Sequence, residues 1–179
     1  MGKNVLIISG SPRKHGNSDL LCDEFEKGAV SAGNSVEKIF LQEKNIKFCT
    51  GCYSCASNHG KCIHKDDVAE ILHNMINADV IVMSTPVYFY SVSGQLKTLI
   101  DRTVARYTEI KNKEFYIIAA AAENSRSTFT RTVECIRGFI DCIGGAKEKG
   151  VLTAGGVWKK GDINSTKYIQ QAYDIGAAV

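Results

Sequence analysis

Short apolar runs alternate along this chain with stretches in which apolar residues return at the helical period. Lys3 to Gly10, KNVLIISG, is a run rich in branched residues and closed by turn residues, which predicts a strand buried on both faces. From Asn17 to Ala32, Leu21, Phe25, Ala29 and Ala32 keep the helical spacing, with Asn17 or Ser18 placed to cap the start and Gly33 the end. Ser35 to Leu41 alternates like a strand. Asp67 and Glu70 resemble a capping box opening a helix that carries Val68, Ile71, Leu72, Met75 and Ile76. Ala78 to Pro86 is the most hydrophobic strand, and Val92, Leu96, Leu99, Ile100 and Val104 mark the helix after it. Glu114 to Ala122 is a fourth strand. Phe129, Val133, Ile136, Ile140 and Ile143 follow on a helix that stops at Gly144 and Gly145. A strand at Lys147 to Ala154 and a helix from about Asn164 close the series.

Regular alternation of strand and helix is satisfied by a parallel sheet with helices on both faces. The prediction is therefore an α/β fold: a doubly wound, five-stranded parallel sheet of order 2-1-3-4-5 in a three-layer α/β/α domain spanning residues 1–179. One segment exceeds that minimal plan. Residues 42–65 form a long insertion after the second strand, and loops of such length in compact domains tend to carry function.

Composition changes this picture little. Of the 179 residues, 44% are apolar and 23% charged, as in an ordinary globular protein. A net charge of +3 with scattered Lys and Arg does not predict nucleic-acid binding, and no apolar run is long enough to span a membrane. The opening MGKNVLIISG predicts a strand rather than a signal peptide. Seven cysteines, an odd number, point to a reducing cytoplasm, where clustered thiols bind metal or do redox work more often than they form bridges.

In a doubly wound sheet, ligands bind outside the carboxyl ends of the strands, where the strand order reverses. The loop after the first strand, SGSPRKHGNSD, fits neither the P-loop nor the dinucleotide pattern. It combines small residues, a cation (Arg13) and a helix start, which together suit an anion. The loop after the third strand sets Pro86, Tyr88, Phe89 and Tyr90 together, offering flat apolar faces, although at least one of these aromatics is expected to pack against the following helix. The loop after the fourth strand is small and polar around Asn124, Ser125 and Ser127. A phosphate cradle, an aromatic platform and a polar edge describe a site for a flat heterocycle carrying one phosphate.

GSPRKHGNSD followed by ADVIVMSTPVYFYSVSGQLKTLIDR resembles the NADPH-dependent FMN reductase family of flavodoxin-like proteins, and within it the iron–sulfur flavoproteins. The resemblance implies that Ser9, Ser11, Arg13, Asn17 and Ser18 contact the phosphate of FMN. It also implies that Pro86, Val87, Tyr88, Phe89 and Tyr90 flank the isoalloxazine ring and that the loop around Asn124 borders it. Gly155, Gly156 and Trp158 match a GG-x-W stretch of the same relatives. The implied activity is transfer of hydride from NAD(P)H to FMN and onward passage of electrons to a flavin, quinone or similar acceptor. Such chemistry belongs to the flavin, so no residue is named as a catalytic acid or base. A homodimer or homotetramer is also implied.

CTGCYSCASNHGKC places Cys49, Cys52 and Cys55 at a spacing of three, with Cys62 after six further residues. Two-residue gaps bring successive thiolates to one centre, and three in a row suit a cubane better than zinc, which favours two separated pairs. The iron–sulfur flavoproteins show this arrangement, which implies a [4Fe–4S] cluster. The alternatives are a structural or thiol-redox loop. With a cluster, the chain could instead carry electrons between protein partners.

Overall fold

In the computed structural model, which describes residues 2–179, the five strands form one parallel sheet of order β2-β1-β3-β4-β5. The strands are β1 (Asn4–Ser9), β2 (Ser35–Phe40), β3 (Val80–Pro86), β4 (Glu114–Ala120) and β5 (Lys147–Ala154). The helices are α1 (Asn17–Ser31), α2 (Ser54–Ser57), α3 (Val68–Asn77), α4 (Gly94–Arg102), α5 (Arg126–Asp141) and α6 (Tyr168–Ala177). The predicted architecture and strand order are those observed. Several boundaries differ, as at β3, which begins at Val80 rather than Ala78. β4 ends before Ala121 and Ala122, and the closing helix begins at Tyr168 after a 3₁₀ turn over Asp162–Ser165.

Every residue of β3 is buried, as is β1 after Asn4, because both faces of the sheet are covered. On one face Val5, Ile7, Val80 and Val82 pack with Leu21 and Phe25 of α1 and Ala172 of α6. On the other, Leu6, Ile8, Ile81 and Met83 pack with Ile71 of α3, Leu96 of α4 and Ile136 of α5. The period-two alternation of the strands thus feeds two cores.

The expected capping box on α3 is not formed. Asp67 occupies the position before the helix but gives no side-chain cap; its carboxylate accepts from the Asn45 N–H at 2.7 Å instead. Asp66 accepts from Val68 N–H at 3.3 Å. Both acids are committed to the chain leaving β2, a partner that lies far away in sequence.

Helices α1 and α6 approach until backbone meets backbone. A Cβ added at Gly28 would stand 2.1 Å from the Tyr173 carbonyl oxygen, and one at Gly176 the same distance from that of Phe25. Helix propensity alone favours Gly28→Ala by up to about 1 kcal/mol. Overpacking of this kind costs about 1–3 kcal/mol, so a net loss of stability is expected in urea unfolding. A more stable variant would show that the two helices part freely.

Candidate functional site

The carboxyl ends of β1, β3 and β4 open onto a cavity of about 630 Å³, within the size range of cofactor pockets. Its wall is made of Ser11, Arg13, Asn17 and Ser18 from the first loop, Pro86 to Tyr90 from the second, Ala120 to Glu123 with Thr128 from the third, and Val157 and Trp158. Arg13 is the cation and Glu123 the anion of this lining.

Most polar groups of the first loop are taken up in building it. Ser9, expected at the phosphate, does not line the cavity. It is fully buried and its hydroxyl donates to Asp19 Oδ1 at 2.8 Å. Asp19 also accepts from the His15 N–H at 2.8 Å and pairs with Lys38 Nζ at 2.8 Å, while Lys38 pairs with Asp23 as well. Burial alone would lift the Asp19 carboxyl, but the bonds from Lys38, His15 and Ser9 outweigh it and hold the group below the usual carboxylate range. The Ser11 hydroxyl closes the turn by donating to Arg13 O at 2.9 Å.

Asn17 lines the cavity, and its amide is largely engaged elsewhere, with one Nδ2 hydrogen and the whole of Oδ1 committed. Its Nδ2 donates to Lys159 O at 2.9 Å, and its Oδ1 accepts from the Gly161 N–H at 3.0 Å and the Ile163 N–H at 3.4 Å. It staples the loop bearing Trp158 to the start of α1. Two groups are left facing the cavity. The Ser18 hydroxyl is buried without a partner, and the Arg13 guanidinium pairs with no carboxylate among the described residues. The residue before α1 is Gly16, which offers no side-chain cap, so first-turn N–H groups are also free to meet an anion.

The second loop is a two-residue hairpin turn. Tyr88 and Ser91 exchange both backbone hydrogen bonds at 3.0 Å around Phe89 and Tyr90, whose φ values are +49° and +62°. Such a turn normally selects Gly or Asn, and bulky residues there are strained. None of the three aromatics is packed beneath the helix, contrary to expectation: Tyr88 and Tyr90 are exposed and Phe89 is 100% exposed. Arg131 lies over the Tyr90 ring, 6.0 Å from its centroid.

Asn124, expected to border the site, lies outside this wall. It lines a neighbouring depression with Ser125 and Arg126, and its main chain packs where a side chain on Gly155 would stand. Its place in the cavity is taken by Glu123, whose carboxylate accepts from the Thr128 hydroxyl at 2.8 Å. Trp158, 74% exposed, adds an aromatic group on the same wall. Its N–H and that of Lys159 both donate to Asp162 Oδ2, at 2.9 and 2.6 Å.

The cysteine loop is closed at its neck by polar bonds. Lys47 N–H donates to Asp66 Oδ2 at 3.0 Å, and Asp67 N–H to Asn45 O at 3.1 Å. Arg102, at the end of α4, grips Asp66 with two nitrogens at 2.7 and 3.1 Å and donates to Lys47 O at 2.6 Å. Its Nη2 reaches Cys62 Sγ at 3.4 Å. Both side chains of the pair are buried. Burial would raise the Asp66 carboxyl, but Arg102 and the Lys47 N–H hold it below its ordinary value.

Cys49 and Cys52 are exposed, Cys55 and Cys62 half-buried, and all four are free thiols. Hydrogen bonds from the Ser54 side chain, its backbone and Thr50 bring the Cys52 thiol down to about 7. This donor set suits a thiolate-bound group. Among the described residues, the side chains gathered within 4.8 Å of one another as for a single ion are His15, Asp19 and Asp23, not the cysteines. Lys38 already pairs with both of those acids. A four-iron cubane takes one thiolate at each iron, so its ligands stand farther apart than those of one ion.

The family profile described as NADPH-dependent FMN reductase matches residues 3–134. An iron-sulfur flavoprotein of Methanocaldococcus jannaschii is 39% identical over 137 residues, 75% of this chain and 70% of that protein. One from Archaeoglobus fulgidus is 39% identical over 95 residues, 53% of this chain and 43% of the relative. For several other curated relatives the match likewise spans no more than half their length, at 48% and 49%. Among solved structures, an NAD(P)H:quinone oxidoreductase from Methanothermobacter marburgensis superposes with a TM-score of 0.76 at 16% identity, covering 99% of this chain and 96% of that one. An azoreductase from Bacillus anthracis gives 0.77 at 14% identity, covering 99% and 100%. At those identities the superpositions show the shared fold.

Asp19→Asn should leave Lys38 with Asp23 as its remaining carboxylate and the Ser9 hydroxyl and His15 N–H with a neutral acceptor, lowering stability at pH 7 by about 1–3 kcal/mol. Because the Asp19 carboxyl is depressed in the folded chain, its contribution is present above the unfolded value near about 4 and is lost as pH falls through the folded value. Urea unfolding of both proteins at pH 7 and in the acid range measures this. A stability gap that does not narrow on acidification would remove the assigned role.

Proposed function

The chain belongs to the NADPH-dependent FMN reductase family, and on that premise we propose that it is an FMN-dependent oxidoreductase that takes hydride from NAD(P)H and passes electrons to a flavin, quinone or similar acceptor. The observation that carries this reading is the cavity, in which an unpaired buried hydroxyl, an uncapped helix start and a free guanidinium meet one end of an aromatic wall. FMN, when bound, supplies hydride acceptance and the onward release of electrons.

The residues present fit that group. Ser18, Arg13 and the first-turn N–H groups of α1 would hold the phosphate, with Ser11 shaping the turn beside it. Pro86, Val87, Tyr88, Phe89, Tyr90 and Trp158 offer the flat apolar surface that an isoalloxazine ring needs. Asn17 acts indirectly, holding the Trp158 loop in place. The cavity presents one terminal-anion site, which favours FMN over FAD. Hydride transfer requires donor and flavin to be held about 3–3.5 Å apart, a matter of positioning rather than of a side-chain base.

A second reading adds a [4Fe–4S] cluster on Cys49, Cys52, Cys55 and Cys62 and makes the chain an electron carrier between protein partners. Four free cysteines in one tied loop favour it, as does the likeness to relatives described as iron-sulfur flavoproteins. Free thiols at all seven cysteines suit a reducing cytoplasm. Among the described residues, no helix is long and apolar enough to cross a membrane. The exposed aromatics at the cavity mouth support a homodimer or homotetramer, which light scattering would measure.

Arg13→Ala should weaken FMN binding about 10- to 100-fold, the worth of a charge-assisted hydrogen bond, and leave the protein depleted of flavin after desalting. Stoichiometric FMN in the variant would sink the phosphate assignment. Mixing the wild type anaerobically with NADPH separates the two readings: rapid bleaching of the flavin supports the reductase, and its absence the carrier.

A further inference from the structure

We propose that Arg102 positions Cys62 as a cluster ligand by donating a charged hydrogen bond to its sulfur. The proposal rests on the [4Fe–4S] reading above.

Arg102 is 2% exposed, and burying a guanidinium is costly unless its donors are all satisfied. Every bond its side chain makes goes to the insertion and its exit: Lys47 O, the Asp66 carboxylate and Cys62 Sγ. The first two suffice to close the neck of the loop. The donor on Cys62 goes beyond that need, and the 3.4 Å separation suits an N–H donating to the large sulfur atom.

Cys62 is also the cysteine most in need of positioning. It stands outside the tight Cys49–Cys52–Cys55 run, and the chain must double back to return it. That return is built into the backbone. Gly60 N–H donates to Cys55 O at 3.0 Å, His59 and Gly60 both have positive φ, and Gly60 seats so closely on Ala105 O that a Cβ would stand 2.9 Å from it. The segment receiving the returning loop is therefore the one that directly follows Arg102.

The anchor is rigid. α4 is capped by Ser93, whose hydroxyl donates to Gly10 O at 2.7 Å in the loop after β1, and ends at Arg102. Cys62 is thus referred to the sheet through a helix rather than only through its own long loop. A donor with positive charge on a ligand sulfur favours the more negative, reduced cluster and raises its potential.

Wild type, Arg102→Lys and the double variant Arg102→Met/Asp66→Leu are prepared without oxygen and compared for iron, FMN and cluster midpoint by redox titration followed by electron paramagnetic resonance. Lysine can still pair with Asp66 but lacks the fork that also reaches Cys62. The double variant removes both charges together, so neither is left buried alone. The expected result is about four irons in the wild type. Both variants should keep FMN and show either a lower cluster midpoint with an unmoved flavin midpoint or loss of iron from an otherwise folded protein. A role confined to closing the neck leaves the Arg102→Lys midpoint unchanged. Full iron and a wild-type midpoint in both variants overturn the proposal while the cluster reading stands. FMN without iron in the wild type overturns the cluster reading and the proposal with it.

Discussion

Burial of the central strands on both faces decides where this chain can do chemistry. β1 and β3 have no exposed surface along nearly all their length, so their side chains are committed to the two cores. Polar function is confined to the points where strands end, at Ser9, Pro86 and Ala120. Because β1 lies between β2 and β3, the loops leaving β1 and β3 turn to opposite faces and leave a crevice between them. The aromatic turn, the loop after β1 and the Trp158 loop all border that crevice.

Within it, most polar side chains hold the loops and few are left to meet a ligand. Ser9, Asp19 and Lys38 form a buried net under the first loop; Ser11 closes its turn; Asn17 binds the loop from the far end of the chain. What remains unpaired is small: Ser18, Arg13 and the start of α1. The economy is physical. A buried carboxylate that already accepts from a hydroxyl, a backbone N–H and a lysine has little capacity left for a cofactor, whereas a hydroxyl buried without a partner carries a standing cost that a phosphate oxygen can offset.

The fold was legible in the sequence because burial on both faces leaves apolar runs too clear to mistake, from Val5 to Ile8 and from Val80 to Met83. The cavity was legible at its corners for the same reason: the loops at strand ends can be placed once the strands are. The division of labour inside it was not. Ser9 and Ser18 look alike in sequence, and only the approach of Asp19 to one of them consumes its hydroxyl. Asn17 reads as a helix cap, yet its partners lie more than a hundred residues away at Lys159 and Gly161. Glu123 rather than Asn124 stands on the wall, a one-residue difference in a short polar loop that no spacing in the sequence marks. The aromatic turn could not be foreseen as strained, since its positive φ values fall on Phe and Tyr rather than on glycine. Lys38 and Arg102 carried no local signal, being an ordinary strand lysine and a helix-terminal arginine until tertiary contact gives them partners.

The cysteine loop is ordered by a different balance from the rest of the molecule. Phe48, Tyr53 and Ile63 on it are exposed, so little apolar burial holds it down. Ordering so long a segment costs backbone entropy at every residue, and hydrophobic contact here does not offset it. What remains is the bond set at the neck, where Arg102 and Asp66 are both withdrawn from water. A buried pair of this kind is a weak source of net stability but a strict one for geometry, since breaking either partner strands the other. It therefore suits a loop whose chemistry depends on where its thiols stand more than on how tightly it packs. Through α4 that geometry is shared with the loop after β1, because one helix is bonded to Gly10 at its start and to Cys62 at its end.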